Sequence, residues 1–80
     1  MTHVLKIYYE HYKRVAEGTK TFEIRNNDRA FQKGDRVQLR PYDPHGGQDY
    51  SDCLPLDRII GDVYPIDADR VVFSLLEVSK

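Results

Sequence analysis

The sequence predicts an α+β fold: a small β-barrel or rolled mixed sheet of about five strands, with one short helix near the N-terminus. Three observations carry this. Apolar and polar residues alternate over several short stretches, the period of a half-buried strand. Breakers rich in Gly, Asn and Asp separate those stretches. Helical spacing shows over Glu10–Glu17 alone. Eighty residues make one domain, 1–80, and closing the sheet removes the edges that so small a β domain must otherwise protect.

The first strand is His3–Tyr9, with Leu5, Ile7 and Tyr9 on one face and Val4, Lys6 and Tyr8 on the other. In the helix, Tyr12, Val15 and Ala16 fall at i, i+3 and i+4 and should face the core. Gly18 is placed as its C-terminal cap, since glycine enters the left-handed region without steric cost. A second strand runs from Thr19 to Ile24 or Arg25, with Phe22 and Ile24 inward and Thr21, Glu23 and Arg25 outward. Asn26-Asn27-Asp28 is a turn, because such side chains bond back to their own backbone, and Lys33-Gly34-Asp35 is another. Arg36–Tyr42 alternates again, placing Val37, Leu39 and Pro41 inward and Arg36, Gln38 and Arg40 outward. Asp43–Ser51 reads as an exposed loop. Leu56–Tyr64 is a strand in which Gly61 marks a bulge or a close approach. Pro65–Asp69 connects it to the last strand, Arg70–Val78, whose apolar run predicts burial on both faces and a central position.

Composition bounds the function. Hydrophobic residues make up 40% and charged residues 31%, as in an ordinary soluble domain. No apolar run approaches the ~18 residues of a membrane helix, and the N-terminus lacks the cationic-then-apolar pattern of a secretion signal. Cys53 is the sole cysteine and forms no internal disulfide, which fits a reducing cytoplasm. Residues 1–40 carry nine Lys/Arg against five Asp/Glu, a net of +4, while residues 41–80 carry three against eight, a net of −5. Such polarity suggests a basic face for an anionic partner; solvated charges scattered by interleaved strands are the plainer explanation.

The segment Gly18–Asp35 is both polar and anchored, with Phe22, Ile24 and Phe31 spaced through it. Its pattern is Gly18-x-Lys20-Thr21-x-Glu23-x-Arg25, followed by Asn27-Asp28-Arg29-x-Phe31-x-x-Gly34-Asp35. This two-part spacing resembles the PUA-like ASCH superfamily and, more narrowly, the small bacterial and phage-borne proteins grouped as the DUF3850 family. The resemblance is strongest from Leu5 to Asp43, and Val71–Val78 fits the family's closing strand. It implies a compact PUA-like β-barrel and a role in RNA binding or RNA-related chemistry.

Lys20, Glu23, Arg25 and Arg29 are the centre of the candidate site. Arg25 and Arg29 can grip phosphates bidentately or stack on a base; Lys20 supplies a point charge; Glu23 can accept from a base amino group. Asn26, Asn27 and Asp28 offer donors and acceptors to a base edge. Tyr8, Tyr9, Tyr12 and Tyr42 are available for stacking, with Lys13, Arg14, Lys33, Arg36 and Arg40 as flanking positive charge. A cross-strand pairing of Glu23 with Lys20 or Arg25, and a simple turn cap at Asp28 and Arg29, explain the same residues structurally.

The expected function is binding of RNA or a nucleotide-like ligand, by a chain with no cofactor, no metal and a monomer as the default. Two alternatives stand beside it. Some ASCH proteins resemble amidohydrolases acting on acylated nucleosides, with a lysine after Gly-x, a nucleophilic threonine three residues on and a glutamate from a later strand. Lys20 matches the lysine, but Glu23 occupies the threonine position and Thr21 falls at the wrong spacing. Glu77 is the candidate for the later glutamate, and a Lys20–Glu23 acid–base pair remains chemically conceivable. The other alternative is a phage or mobile-element accessory protein whose acidic second half binds a protein. His3, His11 and His45 are far apart, show no ligand spacing, and read as surface or half-buried side chains.

Overall fold

The computed structural model describes residues 1–78. Among them, β1 runs Thr2–Tyr8, α1 Tyr9–Glu17, β2 Phe22–Asn26, β3 Arg36–Tyr42, β4 Leu56–Pro65 and β5 Arg70–Glu77. The strands form one sheet in the order β1-β3-β4-β5-β2. β1 pairs parallel with β3, and every other pair is antiparallel. β1 and β2 are therefore the two edges in hydrogen-bonding order. Yet Nη2 of Arg25, on β2, donates to the Lys6 carbonyl of β1 at 2.6 Å. The sheet curls until its edges face one another, and side chains close the seam where backbone pairing stops. The α+β, five-stranded, barrel-like expectation holds, as a half-barrel.

β1 buries His3, Leu5 and Ile7 and exposes the residues between them. It ends at Tyr8, one residue short of the expected bound, so Tyr9 opens α1 instead of extending the strand's inner face. α1 buries Val15 and half-buries Tyr12, but Ala16 is exposed. A nine-residue helix lying against β1 and β3 covers only a narrow stripe, and Ala16 falls outside it. Gly18 is the expected cap, with φ 84°. The N–H groups of Thr19 and Lys20 both donate to the Arg14 carbonyl, at 3.0 and 3.1 Å, and the Thr19 hydroxyl adds a third bond at 3.2 Å. The helix exit, and with it the position of Lys20, is thus fixed by the chain itself.

β2 reverses the expected faces. Phe22 and Ile24 are 45% and 47% exposed, whereas Glu23 is 4% exposed. A strand offers two faces of opposite parity, and one residue decides which turns inward. Here the inward residue is a carboxylate with two cationic partners, which makes its burial tolerable. Phe22 and Ile24 instead stand beside Ser74 and Val72 on the outer face.

The remaining strands supply most of the core. Val37 and Leu39 of β3, Ile60 of β4 and Phe73 of β5 are fully buried, and Val71 and Leu75 of β5 are buried beside them. Each such side chain contributes roughly 1.5–3 kcal/mol through its removal from water. Phe31 packs on Phe73 at 4.9 Å between ring centroids, pinning the loop between β2 and β3 to the core. The β4–β5 register shifts between Ile60 and Val63, so Gly61 does sit at a bulge. A Cβ there would lie 2.3 Å from the Ser74 hydroxyl oxygen, which accepts the Asp62 N–H at 2.8 Å. β5 is interior to the sheet, as expected, but it is not buried on both faces: Leu76 is exposed, and Val72 and Ser74 are only partly covered. α1 packs against β1 and β3, which leaves the outer face of β5 to solvent.

Two local ties complete the frame. His3 is buried, more deeply than its sequence suggested; its Nε2 donates to Asp35 at 2.9 Å and its ring meets Phe31 edge-on. The hydrogen bond from His3, reinforced by the Gln32 backbone N–H and the terminal amine, holds the Asp35 carboxyl below its ordinary pKa. The long loop after β3 is exposed, as expected, and is tied to α1: Tyr50 stacks flat on Tyr9 at 4.0 Å, and the Tyr12 hydroxyl donates to the Leu54 carbonyl at 2.7 Å.

Candidate functional site

The capped helix exit delivers Lys20 directly ahead of β2, and β2 turns Glu23 inward with Arg25 two residues on. Lys20 Nζ lies 2.6 Å from Glu23 Oε1, and Arg25 Nε donates to Oε2 at 2.8 Å. Each Glu23 oxygen is therefore engaged by a cation through a charge-assisted bond, the strong kind. The same guanidinium crosses the seam to the Lys6 carbonyl. Arg29 makes a similar crossing, its Nη1 donating to the Val4 carbonyl at 3.2 Å. Both arginines thus satisfy carbonyls on the unpaired edge of β1, which backbone pairing leaves bare.

Above this clasp lies a cleft of about 750 Å³. Lys20, Glu23, Arg25 and Asn26 of the motif line it. So do Lys6, Tyr8, His11 and Arg14 from β1 and α1, Phe22 and Ile24 from β2, and Tyr42 and Arg70. Its charge is lopsided: five cationic side chains against the single carboxylate of Glu23. Tyr8 is stacked on His11 and meets Tyr42 edge-on, forming an aromatic wall. A second, smaller hollow of about 150 Å³ holds Asp28 and Arg29 with Leu5 and Phe31. Arg25 and Asn26 line both, so the Arg25 crossing separates them.

The other sequence candidates lie elsewhere. Asn27 turns its Oδ1 to the Phe31 N–H at 3.2 Å and shapes the turn. Arg40 grips Gln38 through two nitrogens, at 2.9 and 2.7 Å, and neither it nor Arg36 lines the cleft. Arg36 lies at the opposite end of β3 from Tyr42, the β3 residue that does line the cleft, and Arg40, beside Lys6 in register, is exposed and turned to Gln38. Tyr9 is occupied by Tyr50, and Lys13 lies over its ring. Lys33 pairs with Asp62. Conversely, sequence reading passed over Lys6, Thr19, Phe22, Ile24 and Arg70 as cleft residues and dismissed His11. The outward parity of Lys6 and Tyr8 in β1 was the one available signal, and it meant nothing until β2 was known to lie opposite.

The geometry bears on chemistry as well. Thr21 is outside the cleft, and its carbonyl accepts the Leu75 N–H. Thr19 lines the cleft, but its hydroxyl is given to the Arg14 carbonyl. Glu77 is exposed, pairs in register with Arg58, and does not line the cleft. Neither Thr21 nor Glu77, the residues the sequence offered for that chemistry, lines the cleft that holds Lys20. Among the described residues, no three His, Cys, Asp or Glu side chains group as a metal site requires, and no helix is long and apolar enough to cross a membrane.

A search among curated proteins finds no match. A family described as a domain of unknown function matches residues 2–72, from the start of β1 into β5, and so includes the whole clasp and every residue that lines the cleft. The chain that folds this seam belongs to the DUF3850 family.

Proposed function

We propose that the chain binds RNA or a nucleotide-like ligand in the seam cleft. The observation that carries this is the cleft lining: five cations against one carboxylate that is already ion-paired, beside the aromatic wall of Tyr8, His11 and Tyr42. Cations attract phosphates, and aromatic faces stack on bases of any sequence, each worth about 1–3 kcal/mol. The motif's resemblance to the PUA-like ASCH superfamily points to the same ligand class, and the single cysteine fits a cytoplasmic setting. The clasp modifies the roles expected of the motif. Glu23 and Arg25 hold the seam and shape the cleft floor, while a ligand meets the free groups around them.

The test is an NMR titration with short single-stranded RNA at low salt. Shifts should cluster at Lys6, Tyr8, His11, Phe22 and Ile24, and affinity should fall steeply as salt rises, because phosphate contacts release counterions. Shifts confined to the acidic β4–β5 side, or none at all, would overturn the proposal. Hydrolysis of an acylated nucleoside is a second reading, resting on the close Lys20–Glu23 contact. Failure to release acetate from acetylated cytidine would remove it.

A further inference from the structure

Building on the reading of the cleft as a nucleotide site, we infer that its ligand carries a terminal phosphate, held by Lys6 and Arg14. The shared chemistry is a phosphomonoester attached to a nucleoside, supplied either by a free mononucleotide or by the 5′ end of an RNA.

The assignment starts from which cations are free. Lys20 and Arg25 are bound to Glu23, and Arg70 is bound to Asp67. Among the described residues, Lys6 and Arg14 line the cleft with neither an ion pair nor a side-chain hydrogen bond to the protein. Lys6 Nζ stands 5.8 Å from the centre of the Tyr42 ring, a loose contact that leaves its donors open. A ligand entering the cleft therefore meets two uncompensated charges. A phosphodiester brings one negative charge; a terminal phosphate brings about 1.5 to 2 at neutral pH and matches the pair.

The shape of the seam favours an end over a continuous strand. Arg25 spans from β2 to β1 and stands between the cleft of about 750 Å³ and the separate hollow of about 150 Å³, both of which it lines. A polynucleotide running through would have to break the clasp. A single terminal nucleotide needs no such opening, and the larger hollow is of the size that holds small ligands. Tyr8 and His11, stacked with 14° between their planes, stand beside Lys6 and Arg14 as a platform for the base. The His11 Nδ1 is buried and, among the described residues, has no hydrogen-bond partner.

The experiment compares four probes by NMR titration at one low salt concentration: 5′-phosphorylated uridine trinucleotide, its 5′-hydroxyl counterpart, uridine monophosphate and uridine. The phosphorylated trinucleotide should bind about tenfold tighter than the hydroxyl form, as charge-assisted contacts predict. In Lys6→Met and in Arg14→Met that preference should shrink to about threefold or less, the phosphorylated form losing more affinity than the hydroxyl form. Lys13→Met, whose side chain lies on Tyr9, should keep it. If Arg14→Met disturbs the helix exit, Lys6→Met on an exposed strand position still decides. Uridine monophosphate binding as tightly as the phosphorylated trinucleotide supports a free nucleotide as the source; weaker binding supports an RNA end. Equal affinity for the two trinucleotides overturns the phosphate assignment while leaving the nucleotide site standing. Binding by none of the four overturns both.

Discussion

Replacing Glu23 by glutamine isolates the charge at the centre of the clasp. Gln keeps the side chain's length and one carbonyl oxygen, so packing is preserved while the countercharge is lost. Lys20 and Arg25 then face each other in a site where they are only 13% and 25% exposed. Removing one partner of a fully buried ion pair costs about 3–5 kcal/mol. Partial solvation of the two cations lowers this, and we expect a loss of about 2–4 kcal/mol. An 80-residue domain has roughly 4–12 kcal/mol in total, so the effect should be plain. Urea unfolding should show a lower midpoint at unchanged slope, and the melting temperature should fall by roughly 10–25 °C. Arg25→Met and the double variant complete a cycle, which should return a coupling of at least about 1 kcal/mol. A loss under about 1 kcal/mol for Glu23→Gln, with no coupling, would mean that Glu23 is solvated and that the seam stands without it.

Three further outcomes follow from local geometry. The lowered Asp35 carboxyl adds stability above its unfolded-state value, near 3.9, that is lost as pH falls through its lower folded value. Asp35→Asn should accordingly be destabilised against the parent at neutral pH, and the gap should close on acidification below about pH 4 in pH-dependent urea curves. Gly61→Ala places a methyl against the Ser74 hydroxyl and displaces it from the Asp62 N–H; a loss of about 1–3 kcal/mol is expected, partly relieved by Ser74→Ala in the same chain. Ala30 is held at φ 49°, where glycine is at ease, so Ala30→Gly should leave stability unchanged or raise it by up to about 1 kcal/mol in the same assay.

What the sequence revealed, it revealed through local rules. β3 matched its expected bounds because Val37 and Leu39 alternate cleanly with polar neighbours between two breakers. The Gly18 cap and the Gly61 bulge were visible because only glycine meets those demands cheaply. β2 failed for a different reason. Alternation shows that a strand has two faces, but apolarity was then used to choose the inner one, and here the inner residue is a paired acid. Its partners, Lys20 and Arg25, lie in the same short window, but Arg25 is held in turn by the Lys6 carbonyl of β1, nineteen residues away, and no local pattern shows that contact. The same blindness hid the cleft. Lys20, Glu23, Arg25 and Asn26 were found because one short segment holds them, whereas Lys6, His11 and Arg70 join them only once the sheet has curled. Arg36 and Arg40 were included for their charge alone; Arg36 lies at the far end of β3 from the cleft, and Arg40 gives its guanidinium to Gln38.

The strand order also governs when the cleft comes into being. β1 finds its backbone partner in β3, some thirty-four residues ahead, and β2 finds its own only in β5, where Glu23 sits opposite Phe73. As the chain leaves the ribosome, the segment carrying Lys20, Glu23 and Arg25 has no strand to pair with until residues beyond 70 emerge. Contacts between such distant segments are slow to form, since loop closure comes before any reward. A nascent chain halted before β5 would display the full motif and yet have no seam, no clasp and no cleft, so the proposed binding would report on a finished molecule.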